Sequence, residues 1–471
     1  MTRRNGIHFI GIGGVGMSAL AQIFLSRGHK ISGSDVSETE KTTELRKLGA
    51  EVFIGHKARN IPSYASRIIV STAIKKDNPE LLAAKKAGLP VFHRSDLLAE
   101  LFLDSTKGIA VAGCHGKTTV SSMIATVLKL AQKDPTCVIG GNVRALGGNA
   151  SAGSSELFVA EADESDSTFL KYFPQYGVIT NIDNDHMDHY SSLDAIIKAF
   201  EIFASHIEPT GALYYCADDP ITRNLAFPGE LRTVSYGINI PSDVMAQNIE
   251  YQAYGSSFDL MIGGEKAARI NLAIPGRHNV LNALPVIAFC LEVGLTIEEI
   301  QRGLNNFTGA GRRFEIKGEH DGVIVIDDYG HHPNEIKATL EAAQSLGARR
   351  VVVVFQPHRY SRTLFLSQEF GRCFDSCDKL FITDIYAASE KPIPGVTSKV
   401  ILDHMPVSHR RKVKMVKSVE DVKFHLLRYI EPGDVVFTMG AGNVTQLGPE
   451  ILESMRARSL SFDSVPMKAA I

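Results

Sequence analysis

The chain has 471 residues, 44% hydrophobic and 22% charged, with 50 Lys and Arg against 52 Asp and Glu, a formal net charge of −2. That length leads to an expectation of about three domains with several cores, and the near-neutral balance argues against nucleic-acid binding, which leaves a strongly basic footprint. No stretch approaches the ~18 uninterrupted apolar residues of a membrane span. The start, Met1-Thr2-Arg3-Arg4-Asn5, leads into an apolar stretch broken by Gly11, Gly13, Gly14 and Gly16, so it reads as a first strand rather than a signal peptide. Cys114, Cys137, Cys216, Cys290, Cys373 and Cys377 show neither a disulfide framework nor paired zinc spacing. They are expected as reduced, mostly buried thiols of a soluble cytoplasmic protein.

In chain order, residues 7–11 read as a strand, 15–27 as a helix, and 30–33 and 67–71 as strands, with helices near 79–87 and 95–103. This alternation predicts a parallel sheet covered by helices. A boundary is expected at about 105. A second α/β unit opens with a strand at 108–112 and a helix at 119–132, followed by strands at 156–161 and 177–182. Residues 257–262 and 268–274, joined through Gly263-Gly264, predict an antiparallel hairpin, and a helix is expected at 278–291. A third unit begins near Arg312, with strands at 323–326, 351–355, 380–383 and 435–439. Residues 459–471 lack periodicity and read as a loose tail.

Two glycine-rich loops stand out. Gly11-Ile12-Gly13-Gly14-Val15-Gly16, followed by Asp35 at the end of the next strand, fits a dinucleotide fingerprint. Taken alone the turn fits the diphosphate of another nucleotide or a purely structural turn, with NAD(P) the lesser reading. Gly113-Cys114-His115-Gly116-Lys117-Thr118-Thr119 departs from a standard Walker loop, having Val111 where the first glycine belongs. It still supplies backbone N–H groups, a lysine and a hydroxyl suited to phosphates and Mg²⁺. A lysine at a helix start opposes the helix dipole unless an anion is present.

Acidic clusters follow two strands, Glu161-Ala162-Asp163-Glu164-Ser165-Asp166 and Asp183-Asn184-Asp185-His186-Met187-Asp188-His189. Carboxylates at strand carboxyl ends suit Mg²⁺, with an imidazole as an acceptable further ligand. In the third unit, Asp328-Tyr329-Gly330-His331-His332-Pro333 and Gln356-Pro357-His358-Arg359-Tyr360-Ser361-Arg362 also follow strands. Their Arg and His side chains suit the grip of a carboxylate.

With Pro275-Gly276-Arg277-His278-Asn279-Val280-Leu281-Asn282-Ala283 and Gly311-Arg312-Arg313-Phe314-Glu315, these segments resemble, in order, the Mur ligases. The resemblance implies three α/β domains. These are an N-terminal Rossmann-like domain over 1–105 for a UDP-sugar, a central P-loop ATPase-type domain with a small antiparallel sheet over 106–311, and a C-terminal Rossmann-like domain over 312–471 for the amino acid. It implies ATP-dependent ligation of L-alanine to the lactyl carboxylate of UDP-N-acetylmuramate through an acyl phosphate, in the cytoplasm, by a monomer or homodimer.

By motif, Gly11, Gly13, Gly14, Gly16, Asp35 and Ser71 would hold the UDP-sugar, and Gly113, His115, Gly116, Lys117, Thr118 and Thr119 the ATP phosphates. His278, Asn279 and Asn282 would hold the adenine region, while Arg313 and Asp328 would link the nucleotide to the C-terminal domain. Thr118, Glu161 and His186 would serve Mg²⁺ or Mn²⁺. Tyr329, His331, His358, Arg359 and Arg362 would form the L-alanine site, with His331 or His358 easing proton loss from its amine. Lys117, His186, Arg313 and Asp328 would carry catalysis.

Two positions depart from the family pattern: Cys114 replaces a Thr, and Asn443 stands where an Asp is usual. The rival readings are a murein peptide ligase of cell-wall recycling, an NAD(P)-dependent oxidoreductase built on the first loop, and a nucleotide-gated binding protein.

Overall fold

The computed structural model describes residues 6–186, 189–388 and 390–463, with side chains to 457. The first five residues, Met187 and Asp188 of the second acidic cluster, and residues 464–471 of the expected tail lie outside the described residues. The chain forms two compact units. One comprises the residues to Asn248 with Phe258–Asn271 and Leu281–Thr308, the other Ile249–Ser257, Leu272–Val280 and the chain from Gly309 on.

The first unit holds two sheets. The first has the strand order Glu51–Ile54, Lys30–Asp35, Gly6–Ile10, Ala65–Val70, Val91–His93, all parallel. Strand order reverses at Gly6–Ile10, so the glycine loop that follows opens at the switch point where open α/β sheets bind ligands. The second sheet is built on parallel strands Thr136–Val143, Leu157–Glu161, Lys107–Ala112, Tyr176–Ile179, Ala212–Cys216 and Thr233–Gly237. Lys107–Ala112 is central and fully apolar from Ile109 to Ala112, as a strand covered on both faces must be. The expected hairpin is present as Gly255–Ile262 and Glu265–Leu272, turning through Gly263 and Gly264 with φ of 58° and 85°.

The two sheets share one core. Phe102, on the Arg94–Asp104 helix, meets Phe158 edge-on at 4.7 Å and Tyr172 at 5.3 Å. Polar ties reinforce it: Asn149 Nδ2 donates to the Val15 carbonyl and Lys41 Nζ donates to Asn149 Oδ1.

The second unit carries the third sheet, in the order Glu315–His320, Val323–Asp328, Asp434–Met439, Arg350–Phe355, Lys379–Ile382, Val413–Met415. Only its first strand runs antiparallel. Apolar clusters cover both faces, one around Ile326, Val353 and Phe437, the other around Val325, Val352 and Val436. Each strand alternates its side chains between the two cores, which is why these segments read as unbroken apolar runs.

The structure departs from the sequence expectations in several places, among them the strands Val91–His93, Thr136–Val143, Ala212–Cys216 and Glu315–His320 and the helix Leu193–Ser205, which no expectation covered. The first unit also carries an unexpected helix at Glu40–Lys47 and edge strand at Glu51–Ile54; the helix is too polar to show an apolar stripe and is fixed by the capping box of Thr39 and Thr42. The tail is not loose at its start, because the helix Leu447–Asp463 runs through 459–463. Boundaries elsewhere shift by one to three residues; the phosphate-loop helix begins at Lys117 rather than 119. Among the described residues no helix is long and apolar enough to cross a membrane.

Candidate functional site

Gly11, Gly13, Gly14 and Asp35 lie at strand carboxyl ends, and Gly16 in the first turn of the Val15–Ser26 helix. The Gly11 and Ile12 N–H groups donate to the Ser34 carbonyl, and the Gly14 N–H donates to Gly11 O, folding the loop into a turn before the Val15–Ser26 helix. Asp35 Oδ2 accepts the Gly13 N–H at 2.8 Å, so this acid fixes the glycine loop itself. Ser71 follows the Ala65–Val70 strand on the other side of the switch point.

The phosphate loop is bolted from the neighbouring strand. His115 N donates to Asn181 Oδ1, while its carbonyl accepts from Thr180 Oγ1 at 2.6 Å and Asn181 Nδ2 at 3.0 Å. Gly113 has φ of 125°, and a Cβ there would stand 2.0 Å from Thr180 Oγ1, so only glycine fits. Gly116, with φ of 85°, caps the Lys117–Leu130 helix. Asn282 lies against Gly116, its Oδ1 2.7 Å from where a Cβ would be. Thr119 is buried in the first turn. His115 Nε2 is 2.9 Å from Asp183 Oδ2. Cys114 Sγ accepts from Asp183 N at 3.1 Å, so the departure at this position still anchors the loop.

Lys117 Nζ lies 2.9 Å from Glu164 Oε1 and 2.7 Å from Oε2, and also donates to the carbonyls of Gly113 and Cys114. Burial alone would lower the ammonium, but Glu164 and Asp163 outweigh it and hold Lys117 above its ordinary value. Glu164 also meets His186, with Nε2 to Oε1 at 3.4 Å. Burial pulls His186 down, yet its hydrogen bond to Glu164 and the Asp185 charge raise it overall.

Thr118 Oγ1 stands 3.2 Å from Glu161 Oε2, and Glu161 Oε1 accepts from Gly140 N and Ser121 Oγ. Thr118 and Glu161 thus present two hard oxygen donors at the helix start, which fits a magnesium ion. The structure brings these two candidate ligands together, whereas His186 is held through Glu164 instead.

In the second unit, Asp328 Oδ2 accepts from Phe314 N and Oδ1 from Gly330 N, both at 2.8 Å. Burial pushes its carboxyl up to about 6, against the opposing pull of Arg313. Arg313 pairs with Glu335 at 3.2 Å and lies over the Tyr329 ring. His278 is held down to about 4 by burial and then by Arg313, and Asn279 Nδ2 donates to Pro275 O.

Tyr329, His331 and His358 form a ladder, with centroids 5.2 Å and 5.9 Å apart, and Arg362 Nη1 lies 3.5 Å from His358 Nδ1. His358 is held down to about 4 by burial and then by Arg362 and Arg359, so it is neutral at pH 7. His331 Nδ1 lies 3.1 Å from the Tyr329 carbonyl, which makes Nδ1 the protonated nitrogen and Nε2 the basic one. The five candidates for the amino acid are therefore one cluster at the ends of Val323–Asp328 and Arg350–Phe355, the strands on either side of Asp434–Met439. Asn443 Oδ1 accepts from Gln356 Nε2 at 2.7 Å, a role within the protein's own scaffold.

Sequence reasoning placed Glu164 in an acidic run without separating it from Glu161; only the fold shows that one faces the lysine and the other the threonine. It also passed over Thr180 and Asn181, which hold the loop, and Arg94, whose Nη2 lies 3.4 Å from Asp163. No spacing signal marks these three.

Three family models match the chain: the Mur ligase family catalytic domain over residues 6–106, the Mur ligase middle domain over 111–290 and the Mur ligase glutamate ligase domain over 312–442. UDP-N-acetylmuramate–L-alanine ligase of Geotalea daltonii is 44% identical over 96% of this chain and 98% of its own. The enzyme of the same name from Solibacter usitatus is 46% identical over 96% and 95%. Among solved structures, UDP-N-acetylmuramate-alanine ligase MurC from Thermotoga maritima matches with a TM-score of 0.81 at 30% identity, covering 96% of this chain and 99% of that one. A murein peptide ligase from Psychrobacter arcticus shares the fold, with a TM-score of 0.71 at 24% identity over 96% and 98%. With all three domains matched in order around this phosphate loop, the chain belongs to the Mur ligase family.

Proposed function

We infer that this chain joins L-alanine to the lactyl carboxylate of UDP-N-acetylmuramate, an ATP-dependent ligation that releases ADP and phosphate and serves peptidoglycan synthesis. The observation that carries the reading is the phosphate loop, where Lys117 is held on buried Glu164 beside the Thr118–Glu161 oxygen pair. Full-length relatives named for this reaction supply the substrates. The recycling ligase is the weaker alternative, since its solved relative stands further off in identity and shape. An oxidoreductase leaves Lys117, Glu161 and the cluster of the second unit without a use.

The carboxylate is a poor acceptor for an amine until one of its oxygens takes the γ-phosphoryl group and ADP leaves. Lys117 would neutralise charge on the transferring phosphoryl group, with the loop's N–H groups around it. Mg²⁺, or Mn²⁺, held by Thr118 and Glu161 with His186 behind them, would supply further neutralisation of phosphate charge. Arg359 and Arg362 would grip the alanine carboxylate, orienting its amine toward the acyl phosphate. As the amine attacks, its proton would pass to His331 Nε2, and phosphate leaves as the amide forms. In the N-terminal domain, the first glycine loop would hold the UDP diphosphate, with Asp35 and Ser71 flanking the nucleoside. Gly116 and Asn282, with His278 and Asn279, would hold ATP. We read the chain as three domains, 1–105, 106–311 and 312–471, working in the cytoplasm as a monomer or homodimer.

The test is phosphate release from ATP and Mg²⁺ by the purified protein. Release that needs both UDP-N-acetylmuramate and L-alanine, and is lost in Lys117→Ala, supports the reading. Release with a peptide in place of alanine moves it to the recycling ligase.

A further inference from the structure

The strands Arg350–Phe355 and Lys379–Ile382 run side by side in parallel, and the segments leaving their carboxyl ends lie against each other. Tyr386, from the second segment, is tied to the first through its main chain. Its N–H donates to Pro357 O at 2.8 Å, and its carbonyl accepts the Arg359 N–H at 2.8 Å, making an isolated parallel bridge between His358 and Tyr386. Its side chain engages the same segment, the ring lying almost parallel to that of His358 at 5.7 Å and 13°.

Two further observations show how tightly this contact is built. Arg359 has φ of 70° and ψ of 139°, a conformation nearly reserved for glycine, which costs a non-glycine residue ~1–3 kcal/mol and persists only where neighbours enforce it. The Tyr386 carbonyl is one of those neighbours. On the other side, a Cβ on Gly442 would come within 2.8 Å of Tyr386 Cγ, so the turn after the Asp434–Met439 strand seats the ring at close range. Tyr386 is nonetheless 41% exposed, with only part of its surface packed.

We propose that Tyr386 is a positioning residue of the amino-acid site. It fixes the plane of His358 and the strained backbone of Arg359, so that the carboxylate grip is formed before the amino acid arrives. This rests on the reading that Arg359 and Arg362 bind the alanine carboxylate. Pre-set geometry spares the ordering of a long side chain on binding. Tyr386 therefore acts through its neighbours and on one substrate of the three.

The test is steady-state kinetics of the full-length enzyme, varying L-alanine, ATP and UDP-N-acetylmuramate in turn. Tyr386→Ala removes the stacked face and is expected to raise KM for alanine roughly three- to tenfold, the worth of one aromatic pair. The other two KM values should stay within a factor of about two, and Tyr386→Phe should restore the wild-type value. Tyr386→Leu keeps bulk without a flat face; it should behave as Ala does and serves in its place if Ala does not fold. Arg362→Ala is the separate control. If it leaves alanine KM unchanged, the site reading itself fails. If it raises alanine KM while Tyr386→Ala and Tyr386→Leu do not, only the proposal fails. A rise in all three KM values with a lowered melting temperature makes Tyr386 merely structural and overturns it as well.

Discussion

Lys117 and Glu164 form an ion pair, 2.7 Å from Nζ to Oε2, in which the carboxylate is 1% exposed. A lysine on the first residue of a helix faces the positive end of its dipole, so this carboxylate offsets a cost the fold would otherwise carry. Removing either partner strands the other in a poorly solvated site, which costs about 3–5 kcal/mol. Lys117→Ala should lower stability by that order and phosphate release by roughly 10²–10³-fold. The double variant Lys117→Met with Glu164→Leu should regain most of the stability and none of the activity. Denaturant melts alongside turnover separate the two effects. Activity returning with stability would show that Lys117 does nothing beyond balancing Glu164.

His331 and His358 are neighbours with different duties. His358, held down to about 4 by burial and two arginines, is a weak base that stays neutral over the working range. His331 carries its proton on Nδ1 toward Tyr329 O, leaving Nε2 basic. His331→Ala should therefore lower kcat, with the deficit shrinking as pH rises toward 10 and alanine loses its proton unaided. His358→Ala should mainly raise KM for alanine. Rate profiles from pH 6 to 10 decide between them; a kcat deficit in His331→Ala that is constant with pH rules out the base role.

Asp328 gives a signature in stability. Its carboxyl is raised to about 6 in the folded chain from an ordinary 3.8. A raised acid means that the native state binds more proton than the unfolded one between those values. Asp328 therefore costs stability above pH 6, and that cost is relieved as pH falls toward 3.8. The relief is bounded at about 1.4 kcal/mol per pH unit for one proton. Asp328→Asn keeps an acceptor without the charge, so the difference in stability between variant and parent should grow from pH 4 to 6 and then level off. Melting curves across pH 4–8 measure it, and a flat difference removes the assignment.

The six cysteines are all free and buried, and burial raises the thiols, with Cys216 and Cys377 pushed up to about 12. Since the thiolate is the reactive form, a disulfide reagent should label none of them in the native protein and all six once it is unfolded. Cys114 is the informative one. Cys114→Thr keeps a small hydrogen-bonding side chain near Asp183 and should leave turnover within about twofold of the parent, a change well under 1 kcal/mol. Rapid native labelling at Cys114 would mean that the phosphate loop opens.

The parts of this fold legible in the sequence are those with one dominant local cause. Ile109–Ala112 and Val351–Phe355 are apolar throughout because both faces of their strands are covered, and Gly113 and Gly116 mark their turn because φ demands glycine there. Glu40–Lys47 escaped because its helix is fixed by a cap rather than an apolar stripe. In the site, the His331 and His358 motifs could be read as following strands, but their meeting depends on strand order, with Asp434–Met439 between the two. Glu161 and Glu164 differ in duty by the direction each side chain leaves the chain, which composition does not encode. Tyr386 is further still from view: a lone tyrosine in a loop becomes part of the site only through a bridge to a neighbouring strand's segment.

Glu80 is a buried carboxylate outside the phosphate loop with its own network of partners. It is fully buried. It accepts from His8 Nε2 and Ser34 Oγ on Oε2, and from Lys57 N and Asn60 Nδ2 on Oε1, at 2.7 to 2.9 Å. Burial pushes the carboxyl up, but the bonds from His8 and Ser34 outweigh it and hold Glu80 below its ordinary 4.5. A lowered acid contributes stability that is present above pH 4.5 and lost as pH falls through the folded value. Glu80→Leu removes the acceptor shared by four donors and should cost about 3–5 kcal/mol, while Glu80→Gln keeps an acceptor and should cost about 1–3 kcal/mol. The Gln deficit should shrink as pH falls below 4.5, where the parent's contribution is progressively lost. The same carboxylate ties down residues 57–60, and the Gly55 N–H donates to the carbonyl of Asp35, so the surviving Gln variant should also bind UDP-N-acetylmuramate more weakly, with KM for ATP unchanged. Equal weakening of both nucleotides would place the effect in general loosening of the first unit rather than in the sugar-nucleotide loops.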